Sequence, residues 1–190
     1  MEHLRKYLVE FIGTFFLVFT VGLTALLPGN GVIPAIAIGF VLMVMVYAGG
    51  FVSGGHYNPA VSLAAAVRGA LDWIQLIPYW IAQILGGAAA AAIVLYLTAA
   101  PEGNAGCPFG LAALLIGEFL FTYALCYVVL LTATSKATAG NSYYGLAIGT
   151  TVTVGAFVVG GVLCFGAFNP AVAFGLWMLK TACLGSVVIT

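Results

Sequence analysis

Charged residues are the scarcest class in this sequence. Only 5 of its 190 residues are Lys or Arg and only 5 are Asp or Glu, so the formal net charge is zero. A soluble domain typically carries charge on about a quarter of its residues, and a protein that binds nucleic acid needs a basic patch. The composition excludes both classes. Because 64% of the residues are hydrophobic and the mean hydropathy is +1.20, we predict an all-α membrane protein whose partner surface is the lipid bilayer.

Cysteines and catalytic motifs are also sparse. No nucleophile has an adjacent base, and the sequence contains neither a phosphate-binding glycine-rich loop nor a metal-ligand cluster. We therefore predict no enzymatic activity, no cofactor and no metal. The cysteines are widely spaced without a C-x-x-C pair, which favours packing roles over disulfides. They are Cys107, Cys126, Cys164 and Cys183.

Long apolar segments are what the chain has in abundance. Five of them have about the 20 residues needed to cross a hydrocarbon core of about 30 Å. These predicted spans cover residues 7–27, 32–51, 74–98, 109–132 and 143–163. Two shorter segments, 58–68 and 169–180, reach only about half of the core at 1.5 Å per residue. We expect them to be half-helices that enter the membrane from opposite faces.

The triplet Asn-Pro-Ala opens both short segments. Asn is a favoured N-cap residue and Pro is favoured at the first helical position. A helix that begins inside the bilayer has to satisfy its first N–H groups without water, and this pair of residues suits that need. The two copies therefore predict two helix starts at membrane depth. Their residues are Asn58, Pro59, Ala60, Asn169, Pro170 and Ala171.

An internal repeat surrounds the two triplets. The segment 10–15 is similar to 118–123, and the Ala-Ile-Gly at 37–39 recurs at 147–149. We assign residues 1–100 to a first repeat with three spans and a half-helix, and residues 101–190 to a second repeat with two spans and a half-helix. Three spans invert the second repeat in the membrane. Only ten residues follow position 180, about 15 Å as a helix, so the sixth span is predicted to be missing or truncated.

These features together resemble the major intrinsic protein family, the aquaporins and their solute-conducting relatives, over nearly the whole chain. The resemblance rests on Ser-Gly-Gly-His-Tyr-Asn-Pro-Ala-Val at 53–61, Gly-Ala-Phe-Asn-Pro-Ala at 166–171, the two Glu-bearing span starts and Gln83. It implies an aquaporin-like inverted repeat and a homotetramer with one pore in each protomer. Half-helices that meet at mid-membrane would repel cations with their positive dipole ends, as in aquaporin-type pores generally. The amides of Asn58 and Asn169 would donate hydrogen bonds to water or to a neutral solute.

Four positions of this chain correspond to the selectivity constriction that the resemblance implies. Water-selective members carry Arg after the second Asn-Pro-Ala, but this chain has Val there. An apolar constriction compensates poorly for lost hydration, so we predict passive flux of small uncharged solutes, with water possible and with glycerol-like molecules, ammonia or dissolved gases as candidates. The positions are Ile38, Phe157, Gly166 and Val172, with Val158 as the alternative to Phe157.

Three ionisable residues of the predicted membrane region are candidates for a functional role. The resemblance places His56 near the pore, although it could equally be a packed histidine that anchors the loop. Glu10 and Glu118 occupy equivalent repeat positions and suit acceptors for backbone N–H groups of the two re-entrant loops. Two alternatives stay open: a proton-coupled transporter would use these carboxylates as proton carriers, and a purely structural membrane protein would conduct nothing.

The distribution of Lys and Arg predicts the orientation. With the N-terminus inside, all cations except Lys180 are cytoplasmic, in agreement with the positive-inside rule. We therefore predict a multi-pass protein of the cell (plasma or inner) membrane with a cytoplasmic N-terminus. The cytoplasmic cations are then Arg5, Lys6, Arg68 and Lys136.

Overall fold

The computed structural model describes residues 1–26, 31–98, 109–163 and 166–179, and these residues form helices and connecting loops only. The helices are α1 (Glu2–Leu26), α2 (Ile33–Ser53), α3 (Pro59–Val67), α4 (Trp73–Thr98), α5 (Leu111–Ala133), α6 (Tyr144–Gly155), α7 (Gly161–Leu163) and α8 (Pro170–Met178). A π-helical turn (Ala156–Gly160) joins α6 to α7, and a 3-10 turn (Lys136–Thr138) follows α5.

Five segments among the described residues are long and apolar enough to cross a membrane: α1, α2, α4, α5 and the continuous segment Tyr144–Leu163. The predicted all-α membrane fold is confirmed. Helix α1 begins five residues before the predicted span, because Glu2 favours the helix N-terminus and lies 3.6 Å from Lys6 one turn later. Lys180 and the segment 181–190, on which the sixth-span prediction rests, lie outside the described residues.

The two half-helices, α3 and α8, have nine residues each, which corresponds to about 14 Å of helix. Helix α3 is shorter than the predicted segment 58–68 because it ends in a Schellman motif. Gly69 adopts a left-handed φ of +78°, its N–H bonds the Ala66 carbonyl, and the Ala70 N–H bonds the Ala65 carbonyl. The glycine therefore terminates the half-helix and turns the chain toward α4.

The helices pack so that the half-helices lie among the spans. Helix α1 packs against α2 and α4, α2 packs against α6, and α8 packs against α4 and α1. Helices α2 and α6 approach each other closely at two glycines. The Gly39 carbonyl oxygen lies so near Gly149 that a Cβ at position 149 would clash with it. Gly39 and Gly149 belong to the repeated Ala-Ile-Gly, so this motif supplies the small residues that membrane helix contacts require.

Candidate functional site

Both half-helices begin with the same capping geometry. Asn58 and Asn169 have extended backbones (φ −155° and −158°) and precede a proline at the first helical position. The Asn58 side-chain oxygen accepts from the Ala60 N–H at 2.9 Å, and the Asn169 oxygen accepts from the Ala171 N–H at the same distance. Each helix start is thus satisfied by its own side chain, in the manner of an asparagine N-cap.

The two helix starts also bond each other. The Asn58 Nδ2 donates to the Phe168 carbonyl oxygen at 2.8 Å, and the Asn169 Nδ2 donates to the Tyr57 carbonyl oxygen at 2.8 Å. We call this pair of bonds the cross-repeat brace. A side-chain amide has two N–H donors, and the second donor of each asparagine has no acceptor among the described residues. Sequence reasoning placed both asparagines correctly at helix starts but missed the brace.

The brace depends on an unusual backbone conformation before each asparagine. Tyr57 (φ 49°) and Phe168 (φ 51°) are the described non-glycine residues with left-handed φ, a conformation that costs about 1–3 kcal/mol. It occurs at equivalent places in the two repeats, and in both it accompanies a carbonyl oxygen that accepts from the asparagine of the other repeat. The hydrogen bonds between the two loops therefore help to stabilise this strained backbone conformation in each of them.

Glu10 anchors the first of these loops. It is fully buried (0% exposed) in α1. Its Oε1 accepts from the Ser53 hydroxyl (2.7 Å) and the His56 N–H (2.9 Å), and its Oε2 accepts from the Tyr57 N–H (2.7 Å) and the Gln83 side-chain N–H (2.8 Å). All four distances lie in the range of charge-assisted hydrogen bonds, so this side chain is held firmly against the first loop.

Glu118 has the corresponding position at the second loop but a smaller set of partners. Its Oε1 accepts from the Ala167 N–H at 2.7 Å and its Oε2 from the Phe168 N–H at 2.8 Å. Among the described residues no side chain adds to these two donors, and Glu118 is only half-buried. The second loop is therefore held by fewer bonds than the first.

His56 lies between two cavities and belongs to a chain of hydrogen bonds. Its Nδ1 is 3.1 Å from the Ser62 Oγ, which donates to the Asn58 carbonyl oxygen and accepts from Gln83. Which of the two ring nitrogens carries the proton decides whether His56 donates to or accepts from Ser62. The side chain is 8% exposed and lines both cavities.

The narrower of the two cavities, the central cavity, reaches both asparagines. Its volume is about 30 Å³, roughly the space of two water molecules. Among the described residues that line it, the polar side chains are His56, Asn58 and Asn169, and the other side chains are aliphatic or aromatic. Beyond His56 lies a wider hollow of about 550 Å³ that is lined in part by polar residues of the α5–α6 connection. We call this hollow the vestibule.

Three of the four predicted constriction residues line the central cavity, namely Ile38, Gly166 and Val172. Phe157, the fourth, is not among the described residues that line it. Phe157 is 38% exposed, the alternative Val158 is 50% exposed, and Ala156 lines the cavity at this place. The π-helical turn that begins at Ala156 accounts for the difference: it accommodates an extra residue after this position, so counting backward from Asn169 gives Phe157 rather than Ala156.

The described residues contain no group of three or more His, Cys, Asp or Glu side chains that could hold a metal ion. Cys126 is a free thiol that packs against the apolar core. The other three cysteines of the sequence analysis lie outside the described residues.

This arrangement defines the class of a membrane channel with two re-entrant half-helices, and comparisons with known proteins agree. The family model for "Major intrinsic protein" matches residues 1–185. Aquaporin Z of Brucella melitensis biotype 1 is 39% identical over 170 residues, which cover 78% of this chain and 74% of that protein. The glycerol uptake facilitator protein-like 6 of Lactiplantibacillus plantarum is 37% identical over 180 residues, which cover 90% and 82%.

A solved structure has the same architecture. The X-ray structure of the aquaglyceroporin from Plasmodium falciparum matches with a TM-score of 0.78 over 98% of this chain and 93% of that chain, at 22% sequence identity. This similarity concerns the fold. The chain belongs to the major intrinsic protein family. It is a multi-pass membrane channel for the passive flux of water or small uncharged solutes, and it is not an enzyme.

Proposed function

We propose that this channel conducts small uncharged solutes that carry apolar surface, with water as a second permeant. The observation that carries the proposal is the lining of the central cavity: aliphatic residues, including Ile38 and Val172, surround three polar side chains. A water molecule that enters loses more hydrogen bonds than such a lining replaces, whereas a glycerol-like molecule contacts the apolar wall favourably. The relative named a glycerol uptake facilitator supports this class of solute.

Polar groups along one path would guide such a solute. The second N–H of each asparagine amide has no acceptor among the described residues, and the His56 ring lines the same cavity and supplies a further polar group. A hydroxyl-bearing molecule both donates and accepts hydrogen bonds. It would bind the asparagine donors with its oxygen and direct its carbon atoms to the aliphatic wall.

Cations are excluded in this proposal by the half-helices. The first turns of α3 and α8 are held together by the cross-repeat brace, so their positive ends act on the same short stretch of the pore. In water-selective relatives an arginine adds a fixed charge, but Val172 contributes none. The helix ends therefore account for most of the barrier to cations.

The carboxylates act as loop anchors. Glu10 has four donors among the described residues, and a proton carrier would have to exchange these bonds on every cycle. Glu118 holds the equivalent N–H groups of the second loop. A fixed set of hydrogen bonds suits a channel that equilibrates its solute rather than a transporter that couples to protons.

For the orientation and the assembly we propose what the sequence predicts. Gln75 Nε2 lies 3.0 Å from His3 Nδ1, and Arg68 and Lys136 line one hollow, which supports grouping these cations on the face of the N-terminus. We propose that this face is cytoplasmic in the cell (plasma or inner) membrane. We also propose two inverted repeats, 1–100 and 101–190, and a homotetramer of protomers that each contain a pore.

The proposal is tested by stopped-flow light scattering of proteoliposomes against water, glycerol, urea and sorbitol gradients, with and without a pH difference. We expect flux of glycerol and urea that follows their own gradients, smaller flux of water, and no sodium leak above that of empty vesicles. Flux that requires a pH difference would indicate proton-coupled transport. Absence of all flux from a folded protein would indicate a structural role.

Replacement of Val172 by Arg is expected to lower the flux of glycerol by at least about tenfold. Val172 is buried (3% exposed) and lines the central cavity, so a guanidinium there would occupy space and bring a charge to an apolar wall. A tenfold loss corresponds to about 1.4 kcal/mol of added barrier. Val172→Ile is the matched control, because it changes side-chain volume only slightly and adds no charge. Equal fluxes in the Arg variant and the wild type would place the constriction elsewhere.

A further inference from the structure

We propose that Ala156 sets the size limit of the pore, because the π-helical turn that begins there keeps the large side chain of Phe157 out of the constriction. The inference rests on the proposed conduction of uncharged solutes and specifies which of them pass. The small residues Ala156 and Gly166 leave more room in this wall than a phenyl ring would, and we expect this to favour the passage of solutes larger than water, such as three-carbon polyols and urea.

The spacing of the cavity-lining residues on α6 supports this assignment. Ile148, Val152 and Ala156 follow one another at intervals of four residues, and all three line the central cavity. Side chains four apart lie on one face of an α-helix. The next residue, Phe157, points in a different direction around the helix axis, is 38% exposed and is not among the described residues that line the central cavity.

A comparison of the two repeats explains the presence of the π-helical turn. Ile38 precedes Asn58 by 20 positions, whereas Ile148 precedes Asn169 by 21 positions. The second repeat thus has one extra residue between equivalent points. A π-helical turn contains one more residue than an α-helical turn would. Helix α2 is α-helical throughout, but the turn after α6 is π-helical, so the extra residue is accommodated there.

The position of this turn decides which side chain reaches the pore. The extra residue lies after Ala156, so the face of α6 that carries Ile148 and Val152 continues undisturbed to Ala156. If the extra residue were accommodated one turn earlier, the cavity-lining positions after that turn would shift by one residue. Phe157 rather than Ala156 would then line the constriction. A phenyl ring would then replace a methyl group in a cavity of about 30 Å³.

The π-helical turn also contacts the second loop. A Cβ on Gly166 would lie 3.0 Å from the Gly160 backbone nitrogen and 2.8 Å from the Phe168 ring. Any side chain at position 166 would therefore press on this turn. Glycine is therefore favoured at position 166. Because Gly166 has no side chain and Ala156 has only a methyl group, this part of the cavity wall consists of small residues.

A matched pair of substitutions tests the assignment by flux. In proteoliposomes, Ala156→Phe is expected to lower glycerol and urea flux by at least about tenfold, equivalent to about 1.4 kcal/mol of barrier, and to lower water flux less. Phe157→Ala is expected to leave all fluxes within about twofold. The opposite pattern, with enlarged flux in Phe157→Ala and none lost in Ala156→Phe, would overturn the proposal.

A second measurement does not depend on conduction by the wild type. In a variant without native cysteines, Ala156→Cys and Phe157→Cys are exposed to a small water-soluble methanethiosulfonate reagent, and modification is followed by mass spectrometry. We expect Ala156→Cys to react at least about tenfold faster, because position 156 lines the central cavity and position 157 is not among its lining residues. Equal rates, or faster reaction at position 157, would refute the assignment. Absence of wild-type flux, by contrast, would refute only the proposed function.

Discussion

Substitution of Glu10 by Gln is expected to destabilise the protein by about 2–6 kcal/mol and to abolish most of its flux. Glutamine has the shape of glutamate but only one acceptor oxygen, whereas the two Glu10 oxygens accept from four donors. Two buried donors would lose their acceptor, each at a cost of about 1–3 kcal/mol. The total is a large share of the roughly 5–15 kcal/mol that stabilises a typical protein. Thermal unfolding in detergent and flux per folded molecule measure the two effects.

Glu118→Gln is the matched control for this substitution. Among the described residues each Glu118 oxygen accepts a single backbone N–H, so an amide in its place leaves one of these donors without an acceptor rather than two. We expect about half the loss of stability, and a smaller loss of flux. If both variants unfolded at the same temperature, the additional bonds from Ser53 and Gln83 would contribute nothing to the anchor. A folded Glu10→Gln variant that lost only a dependence on pH gradient would favour a proton carrier.

The second large effect is expected for the cross-repeat brace. Asn169→Ala removes the N-cap of α8, worth about 0.5–2 kcal/mol, and leaves the Tyr57 carbonyl oxygen without its 2.8 Å donor. It also removes a donor from the central cavity. We expect a lower unfolding temperature, a fall in glycerol flux of roughly tenfold from the loss of about 1–2 kcal/mol of hydrogen bonding, and an increased sodium leak.

A double-mutant cycle with Asn58→Ala tests whether the brace acts as one unit. The two hydrogen bonds involve different atoms but hold the same pair of loops. Once one bond is lost, the loops are free to separate and the other bond weakens, so the double variant should be more stable than the sum of the single effects predicts, by about 0.5–3 kcal/mol. Strict additivity, measured by thermal unfolding, would show that the two helix starts are held independently.

Local chemistry explains why so much of the fold follows from the sequence. The length of an apolar segment predicts whether it can cross a bilayer, and an Asn-Pro pair predicts the start of a helix. Both properties depend on neighbouring residues alone. Even the end of α3 has a local signal, since Gly69 takes the left-handed position of a Schellman motif. The five spans and both half-helices were predictable for this reason.

The details of the site depend on contacts between distant residues, and these have no local signal. Glu10 meets Gln83 across 73 positions, and Asn169 meets Tyr57 across 112. The sequence did not identify Ser53 and Gln83 as partners of Glu10, because only the packing of separate helices brings them to the same carboxylate. The left-handed backbone of Tyr57 and Phe168 was not predictable either, because it is stabilised by the loop of the other repeat.

At the constriction, the residues selected by motif spacing and the residues that line the cavity differ at one position. Motif spacing selects Ile38, Gly166 and Val172, and all three line the central cavity. It also selects Phe157, whereas Ala156 lines that cavity, because the sequence shows one extra residue in the second repeat but not the turn that accommodates it. By itself the sequence determined a membrane channel with two capped half-helices, because apolar length and capping are local. Only the packed structure decided that Ala156 lines the central cavity and that the two helix starts bond each other, because both depend on how separate segments fit together.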